Sequence, residues 1–233
     1  MGDTGAQAMS SKDMRRLTKS VETIITEDWR QQLDGLAVYR PRHLLRRVGP
    51  MLIGVCLNRD SGGEKYLPCF HVHFLGEEFP CVSLTMCTEL RNPKGAPDYI
   101  QVQMHHQRYL EAASRLIQQA LLPLKGPIHL DQIIEAYRKY AATPMGQLHT
   151  ASLFGDCIML LAICERQTAA SNLLEKTLEE LSDQQEFQSF GGRAEFQKKM
   201  RQAIEDPDNV WRTVDAQVDS LAVDTLPTDS LIY

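Results

Sequence analysis

Residues 51–88 read MLIGVCLNRDSGGEKYLPCFHVHFLGEEFPCVSLTMCT, and this stretch decides the fold. The segments 59–65 and 76–78 are rich in glycine and charged residues, which is typical of turns. Between and beside them, three apolar runs have the length and composition of β-strands: Met51–Leu57, Tyr66–Leu75 and Phe79–Thr88. The stretch therefore predicts an antiparallel β-meander with a tight hairpin between its last two strands.

The segments on either side of the meander are mostly helical. Before it, apolar residues recur every three or four positions from Ser10 to Leu33, which predicts an amphipathic helix, and 36–39 resembles a short strand. After it, Tyr99–Met104 alternates like a half-exposed strand. Helical patterns then run from Gln107 to the region before Pro123 and over Asp131–Ala141, Leu148–Glu165, Thr168–Leu181, Ala194–Ile204 and Asp208–Leu221. The predicted fold is α+β: an N-terminal helix, an antiparallel β-meander, then a helical C-terminal half.

Composition divides the chain into four parts. The segment Ala142-Thr143-Pro144-Met145-Gly146 marks a boundary because proline and glycine interrupt helices. We expect a disordered leader over 1–9, an α+β domain with the antiparallel sheet over 10–142, a helical domain over 146–221, and an extended tail over 222–233.

Composition and charge exclude several classes of protein. The chain has 233 residues, 25 Lys and Arg, 30 Asp and Glu, and a net charge of -5, as an acidic globular protein has. No apolar run approaches the roughly 18–20 residues of a membrane span. The six cysteines are too few for a disulfide scaffold, and residues 1–13 lack the basic and apolar regions of a secretory signal. We therefore expect a cytoplasmic protein with free thiols and no membrane partner.

One face of the predicted meander collects side chains that carry chemistry. Strand alternation places Cys69, His71, His73, Cys81 and Ser83 on the same face, with His73 near Cys81 and His71 near Ser83. Thiolate and imidazole are ligands that zinc prefers, and a histidine beside serine or cysteine is the minimum for an activated nucleophile. This face is a candidate metal or nucleophile site, with zinc as its candidate ion. The same small, semi-polar side chains also suit packing beneath helices, and we prefer that interpretation.

A pair of adjacent histidines, His105 and His106, stands where the predicted strand Tyr99–Met104 gives way to helix. Adjacent residues on a helix do not share a face. We therefore predict a partly exposed turn rather than a pair of ligands. The pair would join the candidate site only if that strand entered the sheet near His73.

A basic cluster at the start of the meander is a second candidate site. The cluster contains Arg40, Arg42, His43, Arg46 and Arg47, and its four arginines could together bind an anion, an acidic partner or a nucleic-acid backbone. Nucleic acid is disfavoured because the chain is acidic and no aromatic series interleaves the arginines. A solvated face, or pairing with the acidic C-terminal half, is the preferred interpretation.

These observations favour binding over catalysis. The chain contains no HExxH, CxxC or GxGxxG pattern, so we assign no catalytic residue and no cofactor. We predict a protein-interaction module, either an adaptor or a chaperone-like or inhibitor-type protein, whose partner is another protein or a second copy of the chain. Two alternatives stay open. One is a hydrolase that uses the Cys/His face, with or without zinc, and the other is a nucleic-acid-associated accessory protein that uses the arginine cluster.

Overall fold

The computed structural model of the chain describes residues 16–181 and 184–233. The predicted leader over 1–9, and the first part of the predicted helix from Ser10, lie outside this range. Helix α1 spans Lys19–Gln32. It begins there because the Thr18 side chain accepts a hydrogen bond from the Val21 N–H and so caps the first turn.

A mixed but mainly antiparallel sheet forms the centre of the molecule. Its main path has the order β1-β2-β3-β4-β5, with β6 paired to β4 and β8 paired to β2. These strands are β1 Ala37–Arg40, β2 His43–Val48, β3 Met51–Arg59, β4 Lys65–Phe74, β5 Thr85–Glu89, β6 Ile100–Gln101 and β8 Thr228–Asp229. Strands β7 Ile128–His129 and β9 Leu231–Ile232 pair separately. The antiparallel meander predicted from the sequence is confirmed.

Helices make up most of the second half of the chain. They are α2 His105–Gln119, α3 Leu130–Ala141, α4 Pro144–Gln147, α5 Thr150–Ile163, α6 Gln167–Glu180, α7 Arg193–Glu205 and α8 Pro207–Ser220, with short 3-10 turns at Val102–Met104 and Gln184–Phe190. The α+β class and the helical C-terminal half are therefore confirmed. No helix in the described ranges combines the length and the apolar character that crossing a bilayer requires.

The sheet buries apolar side chains on both faces. On the first face, Ile53, Val55 and Val72 belong to a large core that also contains Trp29 of α1 and Leu160 of α5. This core contains side chains from both predicted domains, 10–142 and 146–221. The boundary between these domains remains a prediction. On the second face, a smaller cluster joins the sheet to α8 and the segment after it, through Leu45, Leu52, Leu75, Val214, Val218, Leu221, Val223 and Leu226.

The predicted hairpin between the last two strands of the meander is wrong. Strand β5 begins at Thr85, not at Phe79, so a ten-residue loop (75–84) replaces the tight turn. The loop is anchored to α8, because the Phe79 N–H donates to the Gln217 side chain of that helix at 3.1 Å. Pro80 has no N–H to give to a strand ladder, which also opposes a longer β5.

Two other segments differ from their predicted form. The basic segment around Pro41 contains the strand β2, whose six residues pair one to one with β3, from His43 with Cys56 to Val48 with Met51. The predicted strand Tyr99–Met104 pairs only at two residues and then turns into the 3-10 helix that leads into α2.

The segment 222–233 forms two short strands, of which one joins the main sheet and the other forms a separate pair. Strand β8 pairs in parallel with the end of β2, and β9 pairs in parallel with β7. Arg46 of β2 fixes this arrangement, since its guanidinium donates to Asp229 at 2.5 Å and to the backbone oxygens of Gly126 at 2.7 Å and Pro123 at 2.6 Å. One buried arginine thereby joins three separate segments of the chain.

Candidate functional site

Three of the five residues of the predicted Cys/His face lie in β4 on one face of the sheet. Cys69, His71 and His73 have no exposed surface, and they lie on the second face of the sheet beside α8 and the 75–84 loop. The structure adds His43 of β2, whose Nε2 lies 2.8 Å from Nε2 of His71. The sequence placed His43 in the basic cluster and not on this face, because β2 was not recognised as a strand of this sheet.

His73 contacts Ser83 rather than Cys81. Its Nδ1 lies 2.7 Å from the Ser83 Oγ and accepts the Ser83 N–H at 3.1 Å. Cys81 is exposed, because the loop that replaces the predicted hairpin turns its side chain away from the histidines. His73 therefore contacts Ser83 in place of the predicted Cys81. The Ser83 backbone also lies close enough to His71 to act on its pKa, so His71, His73 and Ser83 belong to one cluster.

The Ser83–His73 pair lacks the third group of a catalytic triad. A triad orients its imidazole with a carboxylate on the ring nitrogen that does not face the serine. That nitrogen, His73 Nε2, is buried and finds no hydrogen-bond partner among the described residues. In addition, the Ser83 N–H occupies the Nδ1 lone pair that would have to accept the hydroxyl proton.

Burial keeps the three clustered histidines neutral at neutral pH. The pKa of His43 and of His73 is lowered to about 4, and that of His71 to about 3. Burial is the main cause for each, and the neighbouring His43 contributes to the lowered pKa values of His71 and His73. In the unfolded chain the same imidazoles titrate near pKa 6.5. The unfolded chain therefore binds protons that the folded chain excludes.

We expect the free energy of unfolding to fall as the pH is lowered from about 6.5 towards 4. The contribution of each buried histidine is complete above the unfolded pKa and is lost on acidification, with a slope of up to about 1.4 kcal/mol per pH unit. Urea unfolding of the protein and of His43→Gln over this range measures the effect. The variant should show a shallower slope, whereas the exposed-histidine control His149→Gln should not. Equal slopes in all three proteins would contradict the expectation.

Three cysteines extend the cluster along β3, β4 and β5. The Asn58 amide donates to Cys69 Sγ at 2.9 Å, and Cys56 Sγ lies 3.1 Å from the Asn58 Oδ1. The hydrogen bond between Cys69 and Cys87 raises the pKa of Cys69 and lowers that of Cys87, while burial raises the pKa of Cys56 to about 11. Among these three cysteines, Cys87 is the one whose pKa is lowered.

The side chains that could together hold a metal ion lie elsewhere. Asp28, His105 and His106 form a group of three whose ligand atoms all lie within 4.8 Å of one another, and within the described ranges no other group meets that criterion. His105 Nε2 lies 2.9 Å and His106 Nδ1 lies 3.6 Å from the same Asp28 oxygen. The predicted partly exposed turn is the first turn of α2, in which His105 is fully buried and His106 is exposed.

The four arginines of the second predicted site do not share one surface. Arg46 is fully buried and pairs with Asp229, whereas Arg47, its neighbour in β2, lies on the opposite face of the strand. Arg42 pairs with Glu22 of α1 at 3.1 Å, and Arg40 is exposed over the Tyr39 ring. The structure therefore uses Arg46 and Arg42 inside the fold and leaves Arg40 at the surface.

A cleft of about 420 Å³ opens where the sheet meets the helical half. The loop 75–84 and β5 form one wall, and α3, α4 and α5 form the other. Three large apolar side chains at this cleft are more than a third exposed: Phe79, Leu84 and Met145. The complete lining is Phe74, Glu77, Phe79, Ser83, Leu84, Thr85, Met86, Cys87, Tyr140, Met145, His149, Ser152, Leu153 and Asp156.

The charges within the cleft are compensated. Glu77 pairs with Lys199 of α7 at 2.6 Å. Asp156 accepts a hydrogen bond from the Tyr137 hydroxyl at 3.0 Å, and burial raises the pKa of its carboxyl well above the ordinary value. The cleft is therefore an apolar surface without a strong net charge.

The sequence did not predict this cleft, because the segments that form its two walls are distant in the sequence.

Comparisons of the chain with protein-family models, with curated proteins and with solved structures find no match. A functional proposal therefore depends on the geometry of the histidine clusters and of the cleft described above.

Proposed function

We propose that the chain is a protein-interaction module that binds an apolar segment of a partner protein in the cleft between the 75–84 loop and helices α3–α5. The observation that carries this proposal is the convergence of exposed Phe79, Leu84 and Met145 on one cleft. Exposed apolar side chains that cluster, rather than scatter singly, mark interaction sites.

The types of side chain support a protein partner. Aromatic residues and methionine are enriched at protein interfaces, and the unbranched methionine side chain adapts to irregular surfaces. Phe79 and Leu84 come from an irregular loop, and Met145 from the four-residue helix α4. These short elements can adjust around a bound segment while the sheet and α5 stay fixed.

The compensated charges of the cleft select the chemistry of the segment. Glu77 is paired with Lys199. The Asp156 carboxyl, whose pKa is raised, accepts a hydrogen bond from Tyr137, so neither carboxyl is a free anion for a basic side chain. A charged side chain that entered the cleft would lose water without gaining a partner, which is costly. The expected ligand is a segment that inserts uncharged, apolar side chains.

Selection of a random-peptide display library on the intact protein tests the proposal. We expect enrichment of peptides with two or more apolar side chains, and at least roughly tenfold weaker binding, about 1.4 kcal/mol, to Leu84→Asp and to Met145→Asp. Leu110→Asp is the matched control, because Leu110 is an exposed leucine of α2 outside the cleft. Peptides that bind all four proteins equally, or a selection that enriches none, would overturn the proposal.

A hydrolase is the second candidate, because Ser83 lines the same cleft and its Oγ lies 2.7 Å from His73 Nδ1. The two candidates differ in what happens to a bound peptide. An interaction module leaves the peptide intact, and Ser83→Ala keeps its binding. Cleavage of the selected peptides by the protein, lost in Ser83→Ala, would favour the hydrolase.

We also propose a cytoplasmic location, which all six cysteines support because they are free rather than paired. The nucleic-acid-associated role has less support than the other two. That role requires the arginines to form one exposed surface, but Arg46 is buried and pairs with Asp229.

A further inference from the structure

We propose that Asp28, His105 and His106 bind a divalent transition-metal ion, with Zn²⁺ as the expected occupant. This site is separate from the cleft and does not depend on the proposed function. Asp28 comes from α1, and the two histidines form the first turn of α2, immediately after the 3-10 turn Val102–Met104.

Two of the separations between the three side chains are close to those of ligands around one ion. Ligands at 2.0–2.1 Å from a tetrahedral zinc ion are about 3.3 Å apart. The distances from the Asp28 Oδ2 are 2.9 Å to His105 Nε2 and 3.6 Å to His106 Nδ1, on either side of that value. All three ligand atoms lie within 4.8 Å of one another, so adjustment of the side chains can bring them around one ion.

A buried chain of hydrogen bonds fixes the ring of His105 towards Asp28. The Trp29 Nε1–H donates to the Tyr66 Oη at 3.1 Å, and that oxygen lies 2.7 Å from His105 Nδ1. Histidines that bind metals are held in this way, with the second ring nitrogen engaged by a protein group. Because a hydroxyl can donate or accept, Tyr66 can accompany either tautomer of His105, including the one that presents the Nε2 lone pair to an ion.

The site is open to solvent on the side of His106. The His106 side chain is 45% exposed and that of Asp28 is 21% exposed, while His105 is buried. An ion can therefore enter without unfolding of the chain. Three protein ligands leave a fourth position for water, which is the ligand count of open zinc sites.

The donor set selects the class of metal. Two imidazoles and one carboxylate suit zinc and its neighbours in the first transition series, while Mg²⁺ and Ca²⁺ require mostly oxygen ligands. The alternative is an ordinary hydrogen bond between His105 and Asp28 that involves no ion. The two arrangements differ in their need for His106, which the hydrogen bond does not involve.

Titration of the metal-stripped protein with Zn²⁺ against a competing fluorescent chelator tests the site. We expect one ion per chain, and binding weakened at least roughly tenfold in His106→Ala. The exposed His106 can be replaced without disturbing the core. The matched control His149→Ala removes another exposed histidine, at the start of α5, and should bind as the unaltered protein does.

Thermal unfolding gives a second measurement on the same proteins. A ligand that binds only the folded chain raises the unfolding temperature. Added Zn²⁺ should therefore raise it for the unaltered protein and for His149→Ala, and much less for His106→Ala and Asp28→Asn. Absence of Zn²⁺ binding by the unaltered protein, or equal binding by all four proteins, would overturn the proposal. Neither outcome bears on the peptide selection, which concerns a different surface.

Discussion

Replacement of Arg46 by alanine is expected to lower the free energy of unfolding by about 3–5 kcal/mol. The guanidinium is fully buried and donates to Asp229 and to the backbone oxygens of Pro123 and Gly126. Its loss leaves these acceptors without a donor and opens a cavity beside the sheet. The carboxylate of Asp229 is about a third exposed and can regain water, so the backbone oxygens account for much of the loss.

Urea unfolding monitored by circular dichroism measures this change. The control is Arg40→Ala, since Arg40 is an exposed arginine of β1 and its loss should change the free energy by no more than about 0.5 kcal/mol. Arg46→Lys should recover only part of the stability, because a single ammonium does not reproduce the planar fork that reaches three acceptors. A loss below about 1 kcal/mol for Arg46→Ala would contradict a structural role of this side chain.

Replacement of Gly54 by alanine is expected to lower the free energy of unfolding by about 3 kcal/mol. Gly54 lies in the middle of β3, paired with Leu45 of β2 and His71 of β4. A Cβ there would overlap the Leu44 carbonyl oxygen and the Leu45 side chain. The nearest atom, the Leu44 carbonyl oxygen, belongs to the backbone of β2. The strand β2 must therefore shift relative to β3 to make room for the Cβ.

Gly62→Ala is the matched control for this prediction. Gly62 lies in the turn between β3 and β4, and a Cβ there would meet its nearest neighbour at 3.7 Å, an ordinary contact. Its effect should stay within about 0.5 kcal/mol. The two variants are compared by their urea midpoints at one pH. Similar midpoints for both would show that β2 yields without loss and would contradict the predicted close approach.

The central strands could be predicted from the sequence because they carry a local signal. The runs in β3 and β4 are continuously apolar and alternate consistently between two faces, and Cys69, His71 and His73 indeed share one of them. Strand β2 carries no such signal, since three of its six residues are histidine or arginine. Arg46 is accommodated there only because residues from distant segments accept its hydrogen bonds.

Which side chains meet in each candidate cluster could not be predicted, because the contacts join residues that lie far apart in the sequence or on an irregular loop. Ser83 reaches His73 through an irregular loop whose position is set by Gln217 of α8. Asp28 and His105 are 77 residues apart. Adjacent helical residues were expected to point in different directions and so not to share a ligand. His105 and His106, in the first turn of α2, nevertheless both approach the same Asp28 carboxylate oxygen.

The pairing of Arg46 with Asp229 has a consequence for the order in which the molecule is made. These residues are 183 positions apart, so at a ribosomal rate of 5–20 residues per second roughly 10–40 s separate their synthesis. During that interval the end of β2 lacks its parallel neighbour β8. Arg46 also lacks the Asp229 carboxylate with which it pairs in the folded protein. We expect the nascent chain to remain open to chaperones and proteases until residue 229 has emerged.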